Sequence, residues 1–160
     1  MEKEFAMILT EKETTEINNL RTQEARCVEK YKRGAKEAKD PVLKALFETI
    51  EKDEQDHYNA LDELLTTGKV PVCECKKDAA KSYAPKATYH AGENTSEKES
   101  DCYLASDCIG AEKMVSGEYN NGVFVFGDSG VRQLLGDIQS AEQNHADMLW
   151  KYKTTNGMQG

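Results

Sequence analysis

Residues 54–57 have the sequence Glu-Gln-Asp-His, and residues 142–145 repeat the pattern as Glu-Gln-Asn-His. Because residues three positions apart lie one turn apart on one helix face, each Glu-x-x-His string places a carboxylate beside an imidazole. A further glutamate, Glu24 or Glu112, precedes each string by 30 positions. Two such sets are the ligand pattern of two-metal carboxylate sites inside four-helix bundles. The predicted metal ligands are Glu24, Glu54, His57, Glu112, Glu142 and His145.

The repeat extends beyond these six residues. A shift of 88 positions places Asp40 on Asp128 and Tyr31 on Tyr119. The same shift aligns the apolar positions Leu43, Leu46, Phe47 and Ile50 with Val131, Leu134, Leu135 and Ile138. Caps, core positions and candidate ligands therefore coincide, which predicts one helical hairpin used twice around the cluster.

Apolar residues spaced by three and four positions predict four long helices. Their expected bounds are about 11–38, 41–67, 101–120 and 129–154. The intervening residues 68–99 have no helical period, and we interpret them as a long crossover that travels the length of a bundle. The predicted fold is all-α: a single domain over residues 1–160, built as an antiparallel four-helix bundle with one long crossover between its second and third helices.

The composition of the chain indicates which kinds of partner and location to expect. The chain has 160 residues, 31% of them charged, with a formal net charge of -8. This acidic balance argues against nucleic acid or an anionic membrane as a partner. No apolar stretch is long enough to span a bilayer, and the N-terminus has no secretory pattern. The odd count of five cysteines indicates a reducing compartment, so we expect a cytoplasmic location at synthesis.

Burial gives the physical reason for metal ions. A single Glu-x-x-His string is common on exposed helices, and Glu24 alone would be interpreted as a side chain that reaches solvent. Both strings, however, interrupt apolar stripes, and no Lys or Arg occupies the matched stripe positions. Buried carboxylates without partners cost several kcal/mol each. Two divalent cations would neutralise them, and mixed carboxylate and imidazole ligands suit iron, manganese or zinc.

The same motifs resemble the ferritin-like superfamily of dimetal-carboxylate bundles, over about residues 11–153. Within it the chain is most similar to the spore-coat-type, or coat F, proteins. The strings that carry this likeness are Gln23-Glu24, Tyr31-Lys32, Asp40-Pro41-Val42-Leu43 and Thr155-Asn156-Gly157-Met158. The resemblance makes iron the first expectation for the two ions.

The resemblance also implies roles for individual residues. Glu24 and His57 would be terminal ligands of one ion, Glu112 and His145 would serve the other, and Glu54 and Glu142 would bridge the two. Tyr31 and Tyr119 would hydrogen-bond ligands, donate electrons or serve as core aromatic residues with satisfied hydroxyl groups. Asp53 would orient a ligand imidazole. Val115 stands where rubrerythrins carry an additional glutamate, and Cys73-Glu-Cys75 does not match a rubredoxin module, so no ligand switch and no built-in electron donor is expected.

Two functions remain open at this point. The first is an oxidoreductase of rubrerythrin or catalase type that reacts with hydrogen peroxide or oxygen. The alternative is a structural spore-coat protein in which the metal site braces the bundle. In that case exposed Phe124, Phe126 and Trp150 would serve a homodimer or a coat assembly. The sequence ends without the fifth short helix of hollow iron-storage shells, so storage is the least favoured function.

Overall fold

A computed structural model describes residues 6–72 and 79–159. The helices in this part of the chain are α1 (Glu11–Glu37), α2 (Pro41–Thr67), α3 (Ala79–Ser82), α4 (Ser96–Val123) and α5 (Ser129–Thr155). No strand occurs among the described residues, so the structure is all-α as the sequence predicts.

Local sequence signals define the helix ends. Thr10 is the N-cap of α1, and together with Glu13 it forms a capping box that satisfies two otherwise unpaired N–H groups. Asp40 and Asp128 are the N-caps of α2 and α5, and each side chain accepts a hydrogen bond from a backbone N–H of the first turn. Gly68 ends α2 in the left-handed conformation, with a φ of 67°, which a glycine adopts without strain.

The long helices pair as two hairpins, α1 with α2 and α4 with α5, and α1 also packs on α4 while α2 packs on α5. At one end of the bundle, Met7 N donates to Gly68 O over 2.9 Å. At the other end, the Asp101 carboxylate accepts from Lys39 N and Asp40 N, each over 2.9 Å. The chain therefore leaves α2 at one end and enters α4 at the opposite end. Helices that pack on each other run antiparallel.

The apolar core is divided into two layers, one toward each end of the bundle. Leu20, Leu61 and Leu135 belong to the first layer, whereas Tyr31 and Ile50 belong to the second. On α2, α4 and α5 the candidate ligands lie between the two layers, and on α1 Glu24 lies between Leu20 and Cys27 of the first layer. The polar cluster is therefore enclosed at mid-bundle and shielded from both ends.

One predicted helix boundary is wrong. Helix α4 begins at Ser96, five residues before the expected start, and it extends to Val123 beyond the expected end at 120. Thr95 is its N-cap, accepting a hydrogen bond from Lys98 N. Asp101, interpreted from the sequence as a helix start, is instead fully buried and accepts a hydrogen bond from Asp40 N in the α1–α2 turn. Because this inward residue is acidic, the first turn of α4 does not show the apolar pattern of a helix.

Two further expectations change. The short helix α3 lies inside the stretch predicted to lack helical structure. Phe126 is only 4% exposed and belongs to the first core layer, so it is not available for assembly, whereas Phe124 and Trp150 are exposed as expected. The Cys73-Glu-Cys75 string lies outside the described ranges. Within those ranges, no helix combines the length and apolar character needed to cross a bilayer.

Candidate metal centre

The structure brings all six predicted ligand residues together. Glu24 comes from α1, Glu112 comes from α4, and each Glu-x-x-His string comes from α2 or α5. All six side chains replace apolar residues in the inward stripe of an amphipathic helix, so helix formation itself directs them to the axis. Each of the six residues is at most 2% exposed.

His57 is the centre of one group of donors. Its Nδ1 lies 3.0 Å from Glu142 Oε1, 3.6 Å from Glu54 Oε2 and 3.8 Å from Glu24 Oε1. One donor atom from each of these four residues lies within 4.8 Å of all the others. Four nitrogen and oxygen donors at that separation can surround a single cation.

His145 is the centre of the matching group. Its Nδ1 lies 2.8 Å from Glu54 Oε1, 3.4 Å from Glu112 Oε1 and 4.0 Å from Glu142 Oε2. These four residues also place donor atoms within 4.8 Å of one another. Glu54 and Glu142 belong to both groups, and each uses a different oxygen toward each imidazole. The arrangement therefore has two adjacent positions that share two carboxylates.

Several of these buried atoms have no hydrogen-bond donor in the described chain. They are Glu24 Oε2, Glu54 Oε1, Glu54 Oε2, Glu112 Oε2 and Glu142 Oε2, together with His145 Nδ1. The His145 Nδ1–Glu54 Oε1 pair is close, but it is not aligned as a hydrogen bond. In the described residues, the ion pairs of the four glutamates are with the two imidazoles alone. Unpaired buried carboxylate oxygens are costly, and cations would satisfy them.

The pKa values reflect this crowding of negative charge. Burial, followed by repulsion from Glu54, raises the pKa of Glu24 well above its ordinary value. Burial and the charges of Glu54 and Glu112 do the same to the pKa of Glu142. Burial would also raise the pKa of Glu54, but close contacts with the Glu24 carboxyl and both imidazoles outweigh it and hold that pKa well below the ordinary value. Without cations, the cluster must therefore retain protons.

Asp53 orients one of the two imidazoles, as the sequence predicts. Its Oδ2 lies 3.1 Å from His145 Nε2. Because a carboxylate only accepts, this contact places a proton on Nε2 and, in the neutral ring, leaves the Nδ1 lone pair facing the glutamates. Burial would lower the pKa of His145, but Glu112 and Asp53 raise it well above its ordinary value. The equivalent residue in the second hairpin is Ala141, so no carboxylate occupies the matching position in that hairpin.

Two buried tyrosines cross-link the hairpins. Tyr31 OH on α1 donates to Glu112 Oε1 on α4 over 2.5 Å, and Tyr119 OH on α4 donates to Glu24 Oε1 on α1 over 2.5 Å. The sequence places each tyrosine two turns from the ligand of its own helix, but the actual partner is the glutamate of the other helix. The 88-residue repeat contains the signal for this exchange, because a two-fold relation between α1 and α4 makes the two contacts equivalent.

A pocket of about 310 Å³ reaches both histidines from the side of the bundle where α2 and α5 meet. Its lining includes Asp53, Ala60, Ala141 and Met148 in addition to His57 and His145. The carboxylates of Asp56 and Glu63 also face it. A small neutral molecule or a cation entering this pocket would meet the imidazole side of the cluster.

The second hairpin is similar to a known protein family. Residues 100–159 match the family model of the Coat F domain. The Coat F match contains most of α4 and all of α5, and with them Glu112, Glu142 and His145. It does not reach the first hairpin, which supplies the other half of the cluster. No curated protein and no solved structure matches the chain.

Proposed function

We propose that this chain is a spore-coat-type protein with a ferritin-like bundle, braced at its centre by a two-metal carboxylate site. The observation that carries the metal site is the set of five buried carboxylate oxygens without donors, converging around two imidazoles. The Coat F match over α4 and α5 supports the coat assignment, and with it a location in the spore coat. The crossover that joins opposite ends of the bundle supports the ferritin-like arrangement.

The donor groups define which residues would hold each ion. Glu24 and His57 would bind one ion from α1 and α2, and Glu112 and His145 would bind the other from α4 and α5. Glu54 and Glu142 belong to both groups and would bridge them. Three carboxylates and one imidazole at each position suit iron, with manganese or zinc as alternatives.

Such a site would brace the fold because its donors come from all four long helices. Without cations, mutual repulsion among the buried carboxylates opposes packing at the level where the two apolar layers are interrupted. With cations, the same carboxylates become attractive links between the hairpins. Metal binding would then contribute directly to the free energy of folding.

The test is whether one substitution changes the melting temperature in opposite directions in metal-free and metal-loaded protein. Glu142→Gln keeps the shape of the side chain but removes one bridging charge. In metal-free protein we expect this variant to melt at a higher temperature than the wild type, because repulsion is relieved. In metal-loaded protein we expect it to melt at a lower temperature, because a shared ligand is lost. Glu48→Gln, on the exposed face of α2, is the matched control and should leave both melting temperatures unchanged.

The effect should depend on pH in a defined direction. Glu24 and Glu142 have folded pKa values above 4.5, and His145 has one above 6.5, so the folded state holds these protons more tightly than the unfolded state. The stability of metal-free protein should therefore fall as pH rises between about 5 and 8. Metal displaces these protons, so the gain in melting temperature on adding metal should widen over the same range. A gain that shrinks with rising pH, or a Glu142→Gln variant without the reversal, would contradict the bracing role.

An oxidoreductase is the second candidate, and the pocket that reaches both histidines favours it. Bound redox-active metals would supply electrons for the reduction of hydrogen peroxide or oxygen. Asp53 would fix the His145 ring, and the two tyrosine hydroxyls would hold Glu24 and Glu112 in place. The test is peroxide consumption by metal-loaded protein, compared with an Ala141→Leu variant that fills the pocket. Full metal occupancy without turnover would leave the structural role alone.

A further inference from the structure

The outward face of α4 differs from the equivalent face of α1. Residues on it recur at alternating steps of four and three, which is the spacing of a helix that packs on another helix. We call this row the α4 seam; all of its members are exposed, and they are Tyr103, Asp107, Gly110, Met114, Gly117, Asn121 and Phe124. Tyr103 is 70% exposed, Met114 65% and Phe124 85%. The apolar residues of α4 are therefore not confined to its inner face.

The internal repeat supplies a control for this observation. Positions equivalent to the α4 seam lie on α1, which has the same role in the first hairpin. They are also exposed, and they are Thr15, Asn19, Thr22, Arg26, Glu29, Arg33 and Lys36. Every one is polar, and Glu29 and Arg33 form an ion pair on the helix surface. A bundle of this kind therefore does not itself require apolar residues or glycines at these positions.

Gly110 and Gly117 have no explanation within the single chain. A methyl group added at either position would meet no atom within 4 Å. Glycine in a helix interior costs about 1 kcal/mol relative to alanine, so alanine would fit and would stabilise α4. The gain from glycine is a close approach by a second backbone, since the distance between packed helices depends on the side chains at the contact.

The order of residues along the α4 seam identifies the partner. In either direction from Met114, the seam has a glycine, then a polar residue and then an aromatic residue. In an antiparallel pairing of two copies, Tyr103 faces Phe124, and Gly110 faces Gly117. Asp107, whose Oδ2 pairs with Lys30 Nζ of α1, then faces Asn121, whose amide group can donate to the second oxygen of the carboxylate. A two-fold contact requires this kind of self-complementarity, whereas an unrelated partner would not.

We propose that two copies of this chain form a homodimer by antiparallel packing of α4 on α4, with the two-fold axis passing close to Met114. The seam spans 22 residues, or roughly 33 Å of helix. Covering one side of a helix over that length buries on the order of 600 Å² per copy. The total of about 1,200 Å² is at the lower limit for specific interfaces, so a dimer that dissociates near micromolar concentration is expected.

Sedimentation of the full chain over a concentration range around roughly one micromolar tests the dimer. The wild type should shift from the 17.9 kDa monomer to twice that mass. Met114→Glu places two like charges at the two-fold axis and should weaken the dimer at least about tenfold. Arg26→Glu, at the equivalent position of α1, should leave the dimer unchanged. Because both positions are exposed, neither change should affect folding, which melting curves will verify.

A second pair of variants separates packing from charge. Gly110→Ala and Gly117→Ala should raise the melting temperature of the monomer, because alanine favours the helix. The same changes should weaken the dimer, because the added methyl groups hold the backbones apart. A wild type that remains monomeric, or any assembly that survives Met114→Glu or responds equally to Arg26→Glu, would overturn the proposal. The outcome does not depend on the metal content.

Discussion

The two hairpins of this protein are alike where they face each other and different where they face away. Toward the bundle axis, Glu24 and Tyr31 of the first hairpin have equivalents in Glu112 and Tyr119 of the second. The contacts are equivalent as well, since each tyrosine hydroxyl lies 2.5 Å from the glutamate of the other hairpin. Away from the axis, α1 presents charged side chains, whereas α4 presents the uncharged centre of its seam.

This contrast shows which positions each part of the molecule constrains. The central cluster requires both hairpins at once, so a change on one side leaves unsatisfied groups on the other. The outer surfaces carry no such requirement, and there the two halves have diverged. Asp53 is the intermediate case: it lies beside the cluster, orients His145 and is replaced by Ala141 in the second hairpin.

Removing one terminal carboxylate tests whether the two donor groups are equivalent. Glu24→Gln and Glu112→Gln each remove a ligand that serves only one of the two donor groups. We expect each variant to bind one metal ion where the wild type binds two, and we expect equal losses from the two halves. Metal content per chain after loading and desalting is the measurement. Glu118→Gln, on the exposed face of α4, is the control. Unequal losses would show that the two positions are not equivalent.

The two buried tyrosines test the equivalence of the two hairpins with a smaller change in structure. Tyr31→Phe and Tyr119→Phe each remove a hydroxyl that donates to a buried carboxylate. Loss of such a bond costs roughly 2 kcal/mol, and symmetry predicts the same cost in both cases. Chemical denaturation of metal-free protein measures it. Tyr58→Phe, in a partly exposed position on α2, should change stability far less. A large difference between Tyr31 and Tyr119 would contradict the exchange of partners between hairpins.

Asp53 tests a position at which the two hairpins differ beside the cluster. Asp53→Asn keeps the shape of the side chain but removes the charge that faces His145 Nε2. We expect one of the two metal affinities to fall about tenfold while the other is unchanged. Calorimetric titration resolves the two sites. Asp56→Asn, at an exposed position that lines the same pocket, is the control. An equal fall at both sites would indicate a general effect of charge.

Much of the interior could be predicted from the sequence because it is periodic. The 88-residue repeat, the apolar stripes and the caps at Asp40 and Asp128 fix the long helices α1, α2 and α5 closely. The repeat also selects six polar residues out of many, and the structure places all six in one cluster. Their role as metal ligands stays a prediction, since clustering and burial are geometric facts that fit cations without showing them.

The features that could not be predicted depend on contacts between residues that are distant in the sequence. These contacts follow no periodic pattern. Asp101 accepts hydrogen bonds from Lys39 N, Asp40 N and Tyr89 OH, and these contacts explain both its burial and the early start of α4. Asn156 similarly accepts from the backbone of residues 88 and 89. Phe126 alternates with exposed Phe124 in an apolar run, and only the packing of the bundle end decides which of the two is buried.

The most direct test of the central claim is the metal content of the protein itself. Wild-type protein produced in medium supplemented with iron and manganese, and purified without chelators, is analysed for metals per chain. We expect two ions per chain in the wild type. We expect none after the double substitution of Glu54→Ala with Glu142→Ala, because both donor groups lose their shared ligands. A folded wild type without stoichiometric metal, or a double variant with unchanged metal content, would contradict the central claim.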